Sequence, residues 1–373
     1  MQARKLKIGI TEMHGIAQEC TQMPLAYVEY SKIEKTDSLL SGVFQSTALG
    51  VLDFYRGGDV DLIEAPLFPI LTNKDWLYTP ADTESSMAFN LLGLPTPRFV
   101  RSIILRYLFS KQNFKGLLFK SEAGLKTLSN YPFLNCQKVL EKTSVLYPAV
   151  RRIDDQKIAA HNSDNIQLIF VGEFFRKGGK EVVDAFLELE KSYKNINLVI
   201  CADRAKHFEV PLYKDKYLGI IDNHEKIRLC FVTRQELFTN YLPKSQIFLC
   251  PTFQESFGYA ILEAMAFGLP VISTNYFAIP EMVEHGTTGY TIDITSHKFV
   301  QAIKGYNFTK IPEDFSMYVK GQLIQYCSKL ISSKSLRQDF SENALASARS
   351  KFSFERRNKE LDKLYKDYAI KQS

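Results

Sequence analysis

Short apolar runs alternate with stretches of helical periodicity along most of this chain. The runs have the length and composition of buried strands, and turn signals or amphipathic stretches separate them. They are residues 6–10, 117–119, 145–150, 166–171, 196–200, 227–232, 246–250 and 271–273. Because strand–helix–strand units of this kind build parallel sheets, the pattern predicts an α/β protein.

The most informative stretch is residues 246–274. After the apolar run at 246–250, apolar and small residues recur at the spacing of one helix face. They are Phe257, Ala260, Ile261, Ala264, Met265 and Gly268. A Gly-Leu-Pro run at 268–270 ends the predicted helix, and the next strand follows at once.

The loop between this strand and helix holds Glu255, Ser256, Phe257 and Gly258 at the edge where α/β sheets bind ligands. The last three open the predicted helix, so their backbone N–H groups can bind an anion such as a phosphate. Glu263 lies about 12 Å further along the helix, judged from the helical rise. Two carboxylates bracketing an anion site fit the ribose, diphosphate and hexose of a nucleotide sugar. Two solvated surface glutamates are the alternative.

This segment resembles the retaining family 4 glycosyltransferases, whose hallmark is a pair of glutamates separated by seven residues, here Glu255 and Glu263. The likeness continues through residues 279–283 and 286–290. The resemblance implies the GT-B fold, in which two Rossmann-like domains face a cleft.

The length of 373 residues also favours two domains. We expect an N-terminal acceptor-side domain over residues 1–152 and a C-terminal nucleotide-sugar-binding domain over residues 153–352. In the resembled fold a last helix, here residues 353–373, crosses back to the first domain.

A basic loop follows the strand at 166–171, again at a carboxyl edge and before a helix. Arg176 by forked hydrogen bonds, and Lys177 as a point charge, could grip a diphosphate beside Gly172. Relatives usually carry an arginine directly after the first glycine; here that residue is Glu173, and Arg176 could substitute. A solvated basic turn is the alternative.

The resemblance assigns further roles around the donor. It implies that Glu263 binds the ribose hydroxyls and that Glu255 binds the sugar and orients it, with Arg176 and Lys177 completing the catalytic set. Phe231 and Val232 lie where relatives pack the nucleotide base, with core packing as their alternative role. The implied reaction retains anomeric configuration and needs no metal and no cofactor other than the nucleotide-sugar co-substrate.

Acceptor-side residues are predicted in the N-terminal half. His14 and Gly15 follow the first strand, where relatives usually have a glycine-rich loop; an ordinary loop histidine is the alternative. Asp82 and Glu84 follow the only tryptophan, at a place where some relatives carry an acidic residue. Asp82 as a helix cap is the alternative there.

No metal site is predicted. Asp59-Val60-Asp61 matches a short Asp-x-Asp pattern known from another glycosyltransferase fold, but Asp61 begins an apolar strand and reads as a boundary residue. The six cysteines are scattered, and no cysteine or histidine pair has zinc-ligand spacing. Cys201, Cys230 and Cys250 fall in predicted strands and are expected to be buried thiols.

The composition limits the cellular locations and the binding partners that we expect for this protein. The chain is 45% hydrophobic and 24% charged, lacks an apolar run long enough to span a bilayer, and shows no signal core, so a cytoplasmic protein is expected. The net charge of +6 suits an anionic substrate, an anionic lipid or nucleic acid. No nucleic-acid module is recognisable, so no nucleic-acid partner is expected.

Residues 97–120 combine basic and apolar side chains at helical spacing. A basic amphipathic helix can lie on an anionic membrane, which would make the protein peripheral on an inner membrane face. A core helix with a solvated basic face is the alternative.

The sequence therefore predicts a hexosyltransferase that moves sugar from a nucleoside diphosphate to a hydroxyl of a glycan, a lipid-linked acceptor or a small molecule. Two alternatives stay open. One is a sugar-nucleotide epimerase or hydrolase of the same fold, and the other is a catalytically inactive protein that binds a nucleotide or a membrane.

Overall fold

The computed structural model describes residues 4–13, 21, 23–36, 50–90, 96–158, 164–295 and 307–369. The chain divides into two units. Unit 1 comprises Met1–Ala149 and Phe354–Ser373, and unit 2 comprises Val150–Ser353. His14 and Gly15, two of the predicted acceptor-side residues, lie outside the described residues.

Unit 1 is built on a sheet of six strands in the order β2-β1-β4-β5-β7-β8, and every pair in it is parallel. The strands of this sheet are β1 Leu6–Ile10, β2 Val28–Lys32, β4 Leu62–Ala65, β5 Trp76–Tyr78, β7 Phe114–Phe119 and β8 Thr143–Val145. A second, two-stranded parallel sheet pairs β3 Gly50–Val51 with β6 Phe89–Asn90.

The described helices of unit 1 are two long ones and three short ones. They are α1 Thr83–Ser86, α2 Arg98–Ser110, α3 Glu122–Lys126, α4 Gln137–Leu140 and the C-terminal α11 Phe354–Ala369. Ser121 caps α3, its hydroxyl accepting a hydrogen bond from the Gly124 amide. Leu361 and Tyr365 of α11 are buried against apolar residues of β1 and β2, so the last helix belongs to the core of unit 1.

Unit 2 is a six-stranded, wholly parallel sheet in the order β11-β10-β9-β12-β13-β14. Its strands are β9 Ile166–Val171, β10 Ile196–Cys201, β11 Ile227–Cys230, β12 Ile247–Cys250, β13 Val271–Thr274 and β14 Gly289–Ile292. When the strands of this sheet are numbered from one in chain order, the arrangement is 3-2-1-4-5-6, the Rossmann order. Both units are therefore Rossmann-like, which confirms the predicted fold class.

Six helices are present in the described part of unit 2. They are α5 Gly179–Ser192, α6 Pro211–Asp222, α7 Arg234–Glu236, α8 Tyr259–Ala266, α9 Glu313–Ser332 and α10 Lys334–Ser350. A π-helical turn, Leu237–Tyr241, continues α7. The central strands β12 and β13 are buried at every position, which explains their unbroken apolar sequence.

Two predicted boundaries were wrong, and both concern the site. Helix α8 starts at Tyr259, because Gly258 adopts a left-handed φ of 106° and so cannot belong to the helix. Strand β11 ends at Cys230, so Phe231 and Val232 follow the strand rather than finish it. Phe231 is 73% exposed, which excludes core packing for this residue within the described structure.

Among the described residues, no helix is long and apolar enough to cross a membrane.

Candidate functional site

The strand order of unit 2 reverses between β9 and β12, which pair directly. In open α/β sheets this switch point leaves a crevice beyond the carboxyl ends of the two strands, where ligands bind. The loop after β9 carries Arg176 and Lys177, and the loop after β12 carries Glu255. The fold thus brings the two sequence-predicted loops to one crevice, although they are far apart in the chain.

Backbone contacts fix the two loops to each other. The carbonyl of Arg176 accepts a hydrogen bond from the Phe253 amide at 3.1 Å. Gly178 adopts a left-handed φ of 79° at the start of α5, and a Cβ there would lie 2.4 Å from the carbonyl oxygen of Pro251. Only glycine suits both the backbone conformation and this close approach.

Lys177 and Glu255 form an ion pair across the crevice, with each side chain only 12% exposed. Desolvation is the largest single influence on Lys177 and acts to lower its pKa, but the charge and hydrogen bond of Glu255, together with Cys250 and Glu173, outweigh it and the pKa is raised. Burial likewise acts to raise the pKa of Glu255, but the Lys177 ammonium and the Ser256 amide overcome it and lower the pKa. Both groups are therefore charged at neutral pH.

Gly172 supports the position of Lys177. Its φ is 123°, and a Cβ on it would lie 3.3 Å from Cγ of Lys177. Its amide donates to the carbonyl of Cys201 at 3.1 Å, which ties the start of the loop to β10. The predicted donor-site glycine thus leaves room for the lysine stem and anchors the loop.

One nitrogen of the Arg176 guanidinium is already bound to an acidic neighbour. Its Nη1 donates to Oε1 of Glu173 at 2.9 Å, so the unusual glutamate after the first glycine holds the arginine in place. The Nε of Arg176 is buried and finds no acceptor among the described residues. A buried donor of this kind is costly unless a ligand or water accepts from it.

The three predicted backbone amides are not equivalent. The Ser256 amide donates to Oε1 of its neighbour Glu255 at 2.9 Å, so this N–H already serves a carboxylate. Gly258 is buried, and a Cβ there would lie 2.9 Å from Cε of Met282. Phe257 is fully buried and packs edge-on against Phe352 of unit 2. Phe257 is therefore a packing residue whose backbone alone can reach a ligand.

Glu263 has a partner that the sequence did not reveal. Nε and Nη2 of Arg234 lie 2.9 Å and 2.5 Å from Oε1 of Glu263. Arg234 begins α7, directly after Thr233, whose hydroxyl and the Glu236 carboxylate form a capping box. This capping box was the available signal, since it places the next side chain at the carboxyl edge of the sheet. Glu263 interrupts a helix that is otherwise mostly buried.

Exposed apolar surface lies close to this pair in the chain. Phe231 is 73% exposed and Val232 is half-buried, and both stand between the end of β11 and Arg234. An exposed aromatic ring at a sheet edge suits stacking against a flat ligand such as a nucleobase.

The acidic acceptor-side candidates in unit 1 have structural partners. Asp82 is 4% exposed and caps α1, accepting from the Ser85 amide at 2.6 Å, so the capping alternative describes its contacts. Glu84 pairs with Arg98 and accepts from the hydroxyl of Tyr131.

A further candidate residue, which the sequence did not predict as part of the site, lies at the carboxyl edge of the sheet of unit 1. Lys120 follows β7, and burial lowers the pKa of its ammonium to about 8, against the opposing charge of Asp82. A lysine with this pKa can act as a cation or as a proton acceptor near neutral pH. The sequence signal was only its place directly after a strand.

Among the described residues, no three histidines, cysteines, aspartates or glutamates come together as a potential metal site. Asp61 accepts hydrogen bonds from the Lys7 amide at 2.9 Å and from Arg4 at 3.0 Å, at the amino end of β4. It is thus a boundary residue, on the edge of the sheet opposite to the carboxyl ends.

Residues 151–306 match the family model described as glycosyl transferases group 1. This part of the chain is therefore similar to that family. The match covers the part of unit 2 that holds both loops of the crevice, together with Glu263 and Arg234. The sequence resemblance and the family match therefore agree on the same region of this chain.

Individual relatives match this chain over part of its length. N-acetyl-alpha-D-glucosaminyl L-malate synthase from Bacillus anthracis is 31% identical over 129 residues, 34% of this chain and 32% of that protein. The capsular polysaccharide biosynthesis glycosyltransferase CapM from Staphylococcus aureus is 26% identical over 212 residues, 57% of this chain and 48% of that protein. The alignments thus span about a third of the first of these curated relatives and about half of the second.

The fold has close counterparts among solved structures. The crystal structure of Anabaena HepE in complex with UDP and glucose superposes with a TM-score of 0.62, covering 97% of this chain and 100% of that one. The sequence identity is 14%, so this similarity concerns the fold alone.

Proposed function

We propose that the protein is a retaining glycosyltransferase that moves a hexose from a nucleoside diphosphate sugar to a hydroxyl acceptor. The single observation that carries the proposal is the ion pair of Lys177 and Glu255 at the switch point of unit 2. It sets a buried ammonium beside a buried carboxylate where α/β folds bind ligands. A diphosphate and a sugar hydroxyl are the two partners that such a pair would bind.

The diphosphate is assigned to the basic loop. The ammonium of Lys177 and the buried Nε of Arg176 would donate to phosphate oxygens and stabilise the charge that develops on the leaving group. Glu173 would keep the arginine fork oriented, because it holds Nη1 and not Nε. The N-terminus of α5 adds a favourable dipole for the same anion.

The nucleoside is assigned to the edge beyond β11 and α8. Glu263 would accept hydrogen bonds from the ribose hydroxyls, with Arg234 fixing the orientation of its carboxylate. The base would lie against Phe231 and Val232. The Glu255 carboxylate would accept from sugar hydroxyls and hold the hexose with its anomeric carbon towards the acceptor.

The reaction proposed at this site balances without a protein nucleophile. The acceptor oxygen forms a bond to the anomeric carbon while the bond from that carbon to the phosphate oxygen breaks. The acceptor proton passes to the departing phosphate, so the products are the glycoside and the nucleoside diphosphate. Attack on the face from which the phosphate leaves would retain the configuration.

A transfer assay tests the proposal and separates it from its rivals. The protein is incubated with UDP-, GDP- and ADP-sugars, with and without a hydroxyl acceptor, and the released nucleoside diphosphate is measured. Release that depends on an acceptor, with a retained anomeric configuration by NMR, supports the transferase. Release of free sugar at the same rate with and without acceptor would identify a hydrolase, and formation of an epimer without acceptor would identify an epimerase. No turnover of any donor would favour an inactive binding protein.

We also propose that unit 1 contacts an anionic membrane that holds the acceptor. Phe99, Ile103 and Tyr107 recur every fourth residue along α2, so they share one helix face. They are 61%, 48% and 63% exposed, respectively. An open cavity of about 640 Å³ lies beside this face, and Arg106 and Lys138 are among its lining residues.

This combination favours a lipid surface over a protein partner. Exposed rings beside arginine and lysine can insert shallowly while the cations meet lipid phosphates. We call the surface formed by α2, Phe133 and Lys138 the basic apolar face. It would place the enzyme on the membrane side from which a lipid-linked acceptor could be reached.

A further inference from the structure

Two thiols lie next to each other at the edge of unit 2 that carries the donor site. Cys201 ends β10 and Cys230 ends β11, and the parallel register pairs them directly. Their Sγ atoms are 3.7 Å apart, and both cysteines are free. Neither thiol has a role in the proposed donor binding or transfer reaction.

The backbone geometry is compatible with a bond between them. Neighbouring strands lie about 4.8 Å apart, and paired residues point to the same face of a sheet. Disulfides accept Cα separations of roughly 4.4–6.8 Å, so the strands need not move apart or together. The sulfurs must close from 3.7 Å to about 2.05 Å, which requires a change of side-chain rotamer.

The two thiols differ in environment. Cys201 is 6% exposed, whereas Cys230 is half-buried and reachable from solvent. The hydrogen bond from Cys201, a second from Tyr241 and the charge of Arg228 lower the pKa of Cys230 to about 7, against burial and the charge of Glu236. The hydrogen bond to Cys230 and burial raise the pKa of Cys201. The accessible member of the pair is therefore the one that loses its proton more readily.

We infer that Cys201 and Cys230 form a redox-active pair that a hydroperoxide converts reversibly into a disulfide. The Cys230 thiolate attacks the peroxide, the O–O bond breaks, and the alcohol or water leaves with a proton, so Cys230 becomes a sulfenic acid. The Cys201 sulfur then attacks the Cys230 sulfur, the S–O bond breaks, and water leaves. Two thiols and one hydroperoxide thus give one disulfide, one alcohol and one water.

The disulfide would act on the donor site through short links. The carbonyl of Cys201 accepts from the Gly172 amide, and the carbonyl of Cys230 accepts from the Ala202 amide. Phe231 and Arg234 follow Cys230 within four residues. We expect the oxidised protein to bind its nucleoside diphosphate about fivefold more weakly or worse, the lower end of the usual coupling between two sites. This consequence rests on the proposed function, whereas the thiol pair itself does not.

The first test identifies the bond in the full chain. The protein is treated with hydrogen peroxide, alkylated, digested with trypsin and analysed by mass spectrometry without reductant. Cleavage after Lys194, Arg204, Arg228 and Arg234 isolates the two cysteines in peptides 195–204 and 229–234. We expect these two peptides crosslinked, the crosslink lost with dithiothreitol, and no crosslink in Cys230→Ser.

Cys136→Ser is the matched control, because Cys136 is a half-buried thiol of unit 1. This variant should crosslink as the wild type does. Sulfinic or sulfonic acid on Cys230 with Cys201 unmodified would overturn the inference, and so would oxidation confined to other cysteines.

The second test measures the affinity for UDP, GDP and ADP by calorimetry, with reduced and oxidised protein. A weaker affinity after oxidation, absent in Cys230→Ser, supports the coupling, and equal affinities contradict it. If the reduced protein binds none of the three, the proposed function and this coupling both fail, and the crosslink alone decides the redox pair.

Discussion

Lys177 and Glu255 are 78 positions apart in the chain, yet they form an ion pair with only 12% of each side chain exposed. The pair exists because β9 and β12 are neighbours at the point where the strand order of unit 2 reverses. Two opposite charges brought together at this edge are available to two ligand groups, a phosphate and a sugar hydroxyl.

Replacement of Glu255 should affect turnover more than nucleotide binding. The carboxylate is assigned to the sugar, so Glu255→Gln should lower kcat by roughly tenfold to a hundredfold, the usual cost of a misplaced substrate. The dissociation constant for the nucleoside diphosphate should stay nearly unchanged, because Lys177 remains. Steady-state kinetics and calorimetry on one protein batch check this, and an equal loss of both quantities would argue against the assignment.

The same pair predicts how stability depends on pH. The folded-state pKa of Glu255 lies below its ordinary value of 4.5, so its stabilising contribution is complete above pH 4.5 and is lost as the pH falls through the folded-state pKa. The folded-state pKa of Lys177 lies above 10.5, so its contribution is complete below pH 10.5 and is lost above the folded-state pKa.

Urea unfolding at a series of pH values measures this dependence. The difference in free energy of unfolding between wild type and Glu255→Gln should be constant at neutral pH and shrink below pH 4.5. A difference that stays constant down to the acid transition would show that the pair does not contribute as described.

Gly178 should tolerate no side chain. Gly178→Ala would place Cβ 2.4 Å from the Pro251 carbonyl oxygen at a φ of 79°, so we expect a loss of about 1–3 kcal/mol in the free energy of unfolding. Gly219→Ala is the matched control, since that helical position has no atom within 4 Å of the new Cβ. It should stabilise the protein by roughly 0.5–1 kcal/mol. Similar effects of both substitutions would mean that the loop is not fixed against Pro251.

The basic apolar face should determine binding to anionic vesicles. Arg106→Gln should weaken sedimentation with phosphatidylglycerol vesicles by about fivefold, because a basic residue near such a surface contributes about 1 kcal/mol. Tyr107→Asp should weaken it further, by removing an inserting ring and adding repulsion.

Leu212→Asp is the control for that experiment. Leu212 is 79% exposed and lies in unit 2, so its replacement should leave vesicle binding unchanged. Equal binding of wild type to neutral and anionic vesicles, or an equal effect of all three variants, would contradict a specific basic apolar face.

The local sequence pattern and the family resemblance were sufficient to predict much of the fold of this protein. The apolar runs predicted the parallel sheets, and β1 and β9 have the predicted bounds. The caps at Ser121 and Thr233 are of a kind that sequence alone can predict, because a cap depends only on residues three positions apart.

Other features depend on conformations that the sequence pattern does not encode. Phe231 and Val232 are apolar and continue the strand pattern, but the ladder of β11 ends before them and leaves the ring of Phe231 exposed. The left-handed backbone of Gly258 moved the start of α8, because a glycine before a helix can either begin it or precede it.

Pairings between distant elements were also inaccessible to sequence reasoning. The contact of Arg234 with Glu263 and that of Cys201 with Cys230 each require the order and register of strands. Periodicity predicts that strands exist and which face is buried, but not which residues stand side by side.

Calorimetry of the reduced protein with UDP, GDP and ADP, with the wild type and Lys177→Ala compared in EDTA, tests whether this crevice binds a nucleoside diphosphate. We predict that one of the three binds the wild type at a single site, and that Lys177→Ala binds it roughly tenfold more weakly or worse, as expected for the loss of a charge-assisted hydrogen bond. No binding of any nucleotide to the wild type, or equal affinity of Lys177→Ala, would contradict the assignment of this crevice to a nucleoside diphosphate.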